Sequence, residues 1–102
     1  MSSNKPLVKL KKLNTYDCLW PYILKILSEK PSHPYILREE IKRRFSFLPG
    51  TVTAYITLYA LCLQGFVNKK IQGRRTIYVI TKSGREELRK AKKFYKDIYK
   101  KL

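Results

Sequence analysis

No charged residue lies between Pro49 and Gln64, in a chain of 102 residues that carries 23 Lys and Arg. Pro49-Gly50 and Gly65 bracket this stretch, and Ala54, Leu58 and Leu61 recur within it at helical spacing. The pattern predicts a helix over Thr51–Gln64, with Gly65 supplying a left-handed stop. Ala54, Leu58 and Leu61 mark its inner face. The outer face is expected to carry Thr53, Thr57 and Gln64, with Tyr55, Ile56 and Tyr59 flanking. In a chain this basic, an uncharged polar helix is the feature around which the other elements have to be arranged.

Two helices are expected before it. Thr15 stands where a cap belongs for a helix from about Tyr16 to Glu29, with Leu19, Ile23, Ile26 and Leu27 on its apolar face. Pro21 falls inside that span and implies a bend or a late start. Lys30-Pro31 ends it. Ser32 is then a candidate cap for a second helix, with Pro34 at its first position, where a missing N–H costs nothing. This helix runs to about Phe45. Leu37, Ile41 and Phe45 face inward, and Arg38, Lys42, Arg43 and Arg44 lie largely outside. Phe47-Leu48-Pro49-Gly50 is a turn.

Beyond the uncharged helix, Phe66–Ile71 and Thr76–Ile80 read as strands, and Gln72-Gly73-Arg74-Arg75 turns between them to make a hairpin. Thr81 caps a final helix that runs to the end. Leu88, Ala91, Tyr95, Ile98 and Leu102 alternate steps of three and four along it, which is a heptad seam. Three helices, a β-hairpin and a long helix make an α+β chain that is mainly α. The expected architecture is a winged helix-turn-helix, with a two-stranded wing and a long C-terminal dimerisation helix. The expected organisation is a basic N-terminal arm over 1–14, partly ordered at best, a winged-helix domain over 15–81 and the dimerisation helix over 82–102.

The formal net charge is +16, from 23 basic and 7 acidic residues. Such a field attracts polyanions, and nucleic acid leads because each phosphate neutralised by Lys or Arg releases a counterion. An anionic membrane would use the same attraction. However, the terminal seam is narrow and contains Ala91 and Tyr95, which suits helix pairing better than a membrane surface. No apolar run approaches the roughly 20 residues of a membrane span. Met1–Leu13 lacks the apolar core and cleavage site of a signal peptide, so the default expectation is cytoplasmic. Cys18 and Cys62 have no metal or redox spacing and read as buried free thiols. An enzyme is not expected. The one histidine, His33, falls at a helix start, where a structural role fits it. Glu39-Glu40 and Glu86-Glu87 are neighbours that point to different helix faces, and there is no phosphate loop or metal cluster. No metal or cofactor is expected.

In a winged helix the third helix enters the major groove and the wing lies along the backbone or minor groove. Thr51, Thr53, Tyr55, Thr57 and Tyr59 are therefore the candidate DNA-reading residues. Methyls of Thr51, Thr53 or Ile56 are candidates for contact with thymine methyls. Lys69, Lys70, Arg74 and Arg75 on the wing, with Arg43 and Arg44 on the second helix, are candidates for phosphate contact. A bidentate Arg–guanine contact from the third helix is excluded, so an A·T-leaning preference is expected. Leu88, Ala91, Tyr95, Ile98 and Leu102 are the candidate dimer interface. The seam persists to Leu102, beyond what a small globular body needs to cover. The competing expectation is a winged-helix interaction module, or a chromatin-coating protein, that binds nucleic acid without sequence specificity.

The spacing of these features resembles the PadR family of winged-helix transcriptional regulators. From Ile23, ILKILSEKPSHPY is similar to the family's opening stretch of an apolar helix end followed by Pro, x, His, x, Tyr, here Pro31, His33 and Tyr35. Leu37, Ile41 and Phe45 follow without gaps. Thr53 and Tyr55 resemble the family's Thr-x-Tyr, and Leu58, Leu61 and Gly65 fall in the same register. The literal PGTV at Pro49–Val52 would need a two-residue insertion. Tyr78-Val79-Ile80-Thr81-Lys82-Ser83-Gly84-Arg85 is similar to the family's Tyr-x-Leu-Thr-x-x-Gly-Arg, so the resemblance spans roughly Ile23 to Leu88. The chain departs from the family in its uncharged third helix, its short wing and Pro34 in place of a usual glycine. The resemblance implies a homodimer joined through the terminal helices, acting as a repressor on double-stranded promoter DNA. Some family members bind small aromatic effectors between subunits. Trp20 and the tyrosines are candidates for such a pocket, although nothing else in the sequence calls for an effector.

Overall fold

The computed structural model describes residues 5–102. The elements run α1 (Pro6–Leu13), α2 (Trp20–Glu29), α3 (Pro34–Phe45), α4 (Thr51–Leu63), β1 (Val67–Gln72), β2 (Arg75–Ile80) and α5 (Lys82–Lys101). The winged helix-turn-helix expected from the sequence is present: α2, α3 and α4 form the helical body, β1 and β2 the wing, and α5 the long terminal helix.

The core is built where the apolar spacing put it. Leu19, Ile23, Leu24, Ile26 and Leu27 from the α2 region meet Leu37 and Ile41 of α3, and Ala54, Leu58 and Leu61 of α4. Val67, Tyr78 and Ile80 close the core from the base of the wing. Each large side chain so buried contributes roughly 1.5–3 kcal/mol relative to exposure. Phe45 is only half-buried and packs from the edge.

The wing pairs antiparallel from Val67 opposite Ile80 to Gln72 opposite Arg75, leaving Gly73-Arg74 as a two-residue loop. Gly73 has φ 65° and Arg74 does not have positive φ. That is the II′ pattern, whose twist suits a tight hairpin.

Three local expectations are corrected. The segment Pro6–Leu13, expected as a partly ordered arm, is a helix with Pro6 in its first turn and none of its side chains buried. Residues 1–4 of that arm lie outside the described residues. Thr15 does not cap α2: its hydroxyl donates to the Lys11 carbonyl at the end of α1, and α2 starts late, at Trp20, which puts Pro21 in its first turn. Pro21 is thus harmless there, because the first-turn N–H groups have no intrahelical acceptor. Ser32 does not cap α3 either. It is buried and exchanges backbone hydrogen bonds with Tyr78 at 3.2 and 2.9 Å, adding a one-residue third strand to the wing, while His33 occupies the cap position.

Candidate nucleic-acid interface

The isolated Ser32–Tyr78 bridge decides where the start of α3 sits, which is against the wing. Here His33 Nδ1 lies 3.1 Å from the Thr76 carbonyl oxygen. A carbonyl only accepts, so Nδ1 carries the proton and donates. His33 thus has the structural role expected of it. The two ties hold the first turn of α3 against the wing, and between these and α4 lies an open cleft of about 780 Å³, lined by His33, Tyr35, Ile36, Tyr55, Lys69 and Arg75 among others.

From the second turn of α3, Arg38 Nε donates to the Pro49 carbonyl at 2.9 Å, and at the C-terminal end of the helix Ser46 takes the left-handed conformation with φ 65°. Together they set the turn from which α4 departs.

The cleft gathers three of the candidate DNA contacts, Tyr55, Lys69 and Arg75. Lys69 stands opposite Tyr78 in the ladder, and Lys70, next along the strand, points to the other face. Arg74 is exposed in the loop. Among the described residues, none of Lys69, Lys70, Arg74 and Arg75 forms an ion pair with a carboxylate.

Arg43 and Arg44 are placed differently. Arg43 pairs with Glu40 at 2.8 Å, within α3 itself. Arg44 reaches back to Glu29 at the end of α2 through two hydrogen bonds of 2.6 and 3.0 Å, and its guanidinium lies 5.7 Å from the Phe45 ring centroid. The hydrogen bonds from Arg44 hold the Glu29 carboxyl below its usual range, and those from Arg43 do the same for Glu40. These two arginines are engaged in the protein's own fabric, and neither lines the cleft.

On α4 the expected outer face is corrected. The side opposite Ala54, Leu58 and Leu61 carries Val52, Ile56, Tyr59 and Leu63, exposed by 70, 63, 67 and 71%. Thr53 and Gln64 sit on a flank, and Thr57 is half-buried with its hydroxyl donating to the Thr53 carbonyl at 2.8 Å. Thr51 is exposed in the first turn. The error came from equating the polar side with the outer side. Thr57 instead borders a second groove, with Trp20, Ile56, Gln64 and Glu87. Sequence reasoning also passed over Tyr35 and Val52. Tyr35 stands in the Pro-x-His-x-Tyr run, and Val52, Ile56, Tyr59 and Leu63 repeat in steps of four, three and four. Both signals were present.

The terminal seam divides. Leu88 is 8% exposed and belongs to the chain's own core, which corrects its assignment to a dimer surface. Ala91 is half-buried beside Trp20 and Cys18, while Tyr95 and Ile98 are each 42% exposed and Leu102 is fully open. Cys18 and Cys62 are both free and half-buried, and burial pushes the Cys62 thiol up. Among the described residues no group of His, Cys, Asp or Glu is arranged to hold a metal ion, and no helix is long and apolar enough to cross a membrane.

Among curated proteins none matches the sequence. Solved structures do. A transcriptional regulator from Clostridium thermocellum superposes with a TM-score of 0.77 at 21% identity, covering 88% of this chain and 92% of its own. A PadR family transcription regulator from Clostridium difficile gives 0.74 at 22% identity, over 79% of this chain and 90% of its own. F93 from STIV, a winged-helix DNA-binding protein, gives 0.69 at 18% identity, over 85 and 91%. These likenesses establish the fold. The family model described as "Transcriptional regulator PadR-like family" matches residues 23–90, almost the span over which the sequence motifs ran. The chain belongs to the PadR-like family of transcriptional regulators and is not an enzyme.

Proposed function

We propose that the protein is a sequence-specific, double-stranded DNA-binding regulator, probing the major groove with α4 and gripping the backbone or minor groove with the wing. The observation that carries this reading is the cleft, where Lys69 and Arg75, in no ion pair among the described residues, share the lining with Tyr55 of the uncharged helix. Phosphate contacts from the wing would position the protein, and α4 would read the bases. Lys70 and Arg74 extend the positive surface along the wing. Tyr35, exposed on the other rim, adds a hydroxyl within the same cleft. Arg43 and Arg44 take a lesser part, since each is held by a glutamate.

The reading includes a homodimer formed through the distal half of α5, with Tyr95, Ile98 and Leu102 as its apolar contacts and Ala91 at its inner edge. The body over 15–81, with the start of α5 packed on it through Gly84 and Leu88, then acts as the DNA-binding unit, and the remainder of 82–102 as the joining helix. Repression by promoter occupancy, in the cytoplasm, is the regulatory mode that family resemblance favours. Fluorescence anisotropy over a salt series, with the gene's own upstream duplex and a scrambled duplex of equal length, tests the function. Both affinities should fall steeply with salt, and the upstream duplex should keep an advantage of roughly a thousandfold. Overlaid curves, with no duplex enriched from a genomic fragment library, would leave a DNA-coating protein instead.

A further inference from the structure

We infer that α4 recognises its site through the C5-methyl groups of pyrimidines, so that the preferred duplex is marked by thymine and accepts 5-methylcytosine in its place. The inference rests on the DNA-binding reading above and adds what the helix reads. The bidentate and charged instruments of base readout are missing from α4, leaving the exposed hydroxyls of Thr51 and Thr53 as its polar contacts. It has no Arg or Lys to grip guanine, no Asn or Gln before its C-cap Gln64 to grip adenine, and no acid to accept from cytosine. The Thr57 hydroxyl is turned to its own helix backbone.

What α4 offers instead is the exposed stripe of Val52, Ile56, Tyr59 and Leu63. Four large apolar side chains on one helix face are more than scattered surface residues and call for a cover. The adjoining chemistry selects the cover. Among the described residues the neighbouring cleft presents Lys69 and Arg75 with no carboxylate paired to them, so the apolar stripe borders cations free to meet phosphates. A polyanion is drawn to that side, and the apolar group that duplex DNA displays in its major groove is the thymine methyl. Reading helices enter the groove by their N-terminal residues, so Val52 and Ile56 are the methyl contacts, with Tyr59 at the rim.

The test uses the full chain and duplexes enriched from a random library by the protein itself. The enriched duplex is resynthesised with single deoxyuridines for thymines, and with 5-methylcytosine or cytosine at the same positions. Each sensitive thymine should lose about three- to fourfold in affinity as uracil, the worth of one buried methyl. At those positions 5-methylcytosine should bind better than cytosine, and the salt slope should stay unchanged. Ile56→Ala, exposed and tolerable to the fold, should erase part of the thymine–uracil difference and leave the salt slope intact. If thymine and uracil duplexes bind alike while the enriched site is still preferred, methyl readout is wrong and DNA binding stands. If Ile56→Ala lowers the sedimenting mass and leaves thymine discrimination whole, the stripe is a protein interface and the inference falls. Absence of any enriched duplex would overturn the underlying function as well.

Discussion

Gly84, in the first turn of α5, lies against the carbonyl oxygen of Phe66 so closely that a methyl group has no room between them. That carbonyl already accepts from Thr81 N at 3.0 Å, and the Thr81 hydroxyl donates to the Gly65 carbonyl at 2.7 Å while accepting from Gly84 N. The end of α4, the entry to the wing and the start of α5 are therefore fastened at one point. Helix propensity alone would favour Gly84→Ala by about 1 kcal/mol. The obstructing atom is backbone, however, and the Ile80 side chain crowds from the other side. Gly84→Ala should destabilise the fold by about 1–3 kcal/mol, as overpacked sites do. Urea denaturation would show it as a lower midpoint with an unchanged slope. A midpoint at or above the wild type would mean that the junction yields easily.

Wing cations and α3 cations should behave differently toward DNA. Arg75→Ala and Lys69→Ala should each weaken binding evenly across sequences and reduce the salt slope by about 0.9, the signature of one lost phosphate contact. Arg44→Ala should leave that slope nearly unchanged and lower the thermal midpoint instead, because Arg44 clamps α3 to Glu29 of α2. Anisotropy at several salt concentrations, paired with thermal melts of the three variants, checks both halves.

The carboxylates set the pH response of the free protein. Hydrogen bonds from Arg44, Arg43 and Arg89 hold Glu29, Glu40 and Glu86 below their usual values. Each group's folded-state pKa is depressed, so its contribution is present above the ordinary carboxylate pKa of about 4.3 and is lost as pH falls through the folded value. Glu29 and Glu86 are open to solvent and Glu40 is partly so, so the combined effect is small. Thermal midpoints should therefore stay flat from pH 7 to about 5 and decline below about 4. Arg44→Ala should flatten part of that decline.

Much of the fold was legible because its cues are local. Ala54, Leu58 and Leu61, Gly65 as the stop, Gly73 in the hairpin and Thr81 as the cap each act within a few residues. What escaped depends on distant partners. Ser32 looks like a cap, but its backbone is taken by Tyr78, far along the chain. Arg44 looks like a free cation and is bound by Glu29. The outer side of α4 was misjudged because polarity was used to find the exposed side, and there the exposed side is apolar. Pro6–Leu13 is helical although none of its side chains is buried, and its signals were local ones that went unused: Pro6 in the first turn, leucines and lysines as good helix formers, and Lys11 and Lys12 in the last turn.

The terminal helix yields the sharpest division between folding and assembly. Leu88 is buried in the chain's own core, and Ile98, ten residues on, is 42% exposed on the same seam. Leu88→Ala should cost about 2–5 kcal/mol of folding stability, as buried leucines do. Ile98→Asp should change little within one chain, because no core contact is lost. Across a two-fold interface the same change would place two carboxylates in an apolar seam and should shift the protein from dimer to monomer in sedimentation velocity. DNA affinity should fall with it, since two linked reading heads bind far more tightly than one. An Ile98→Asp protein that still sediments as a dimer would move the interface elsewhere, to the exposed Leu7, Leu10 and Leu13 of α1 or to the stripe on α4.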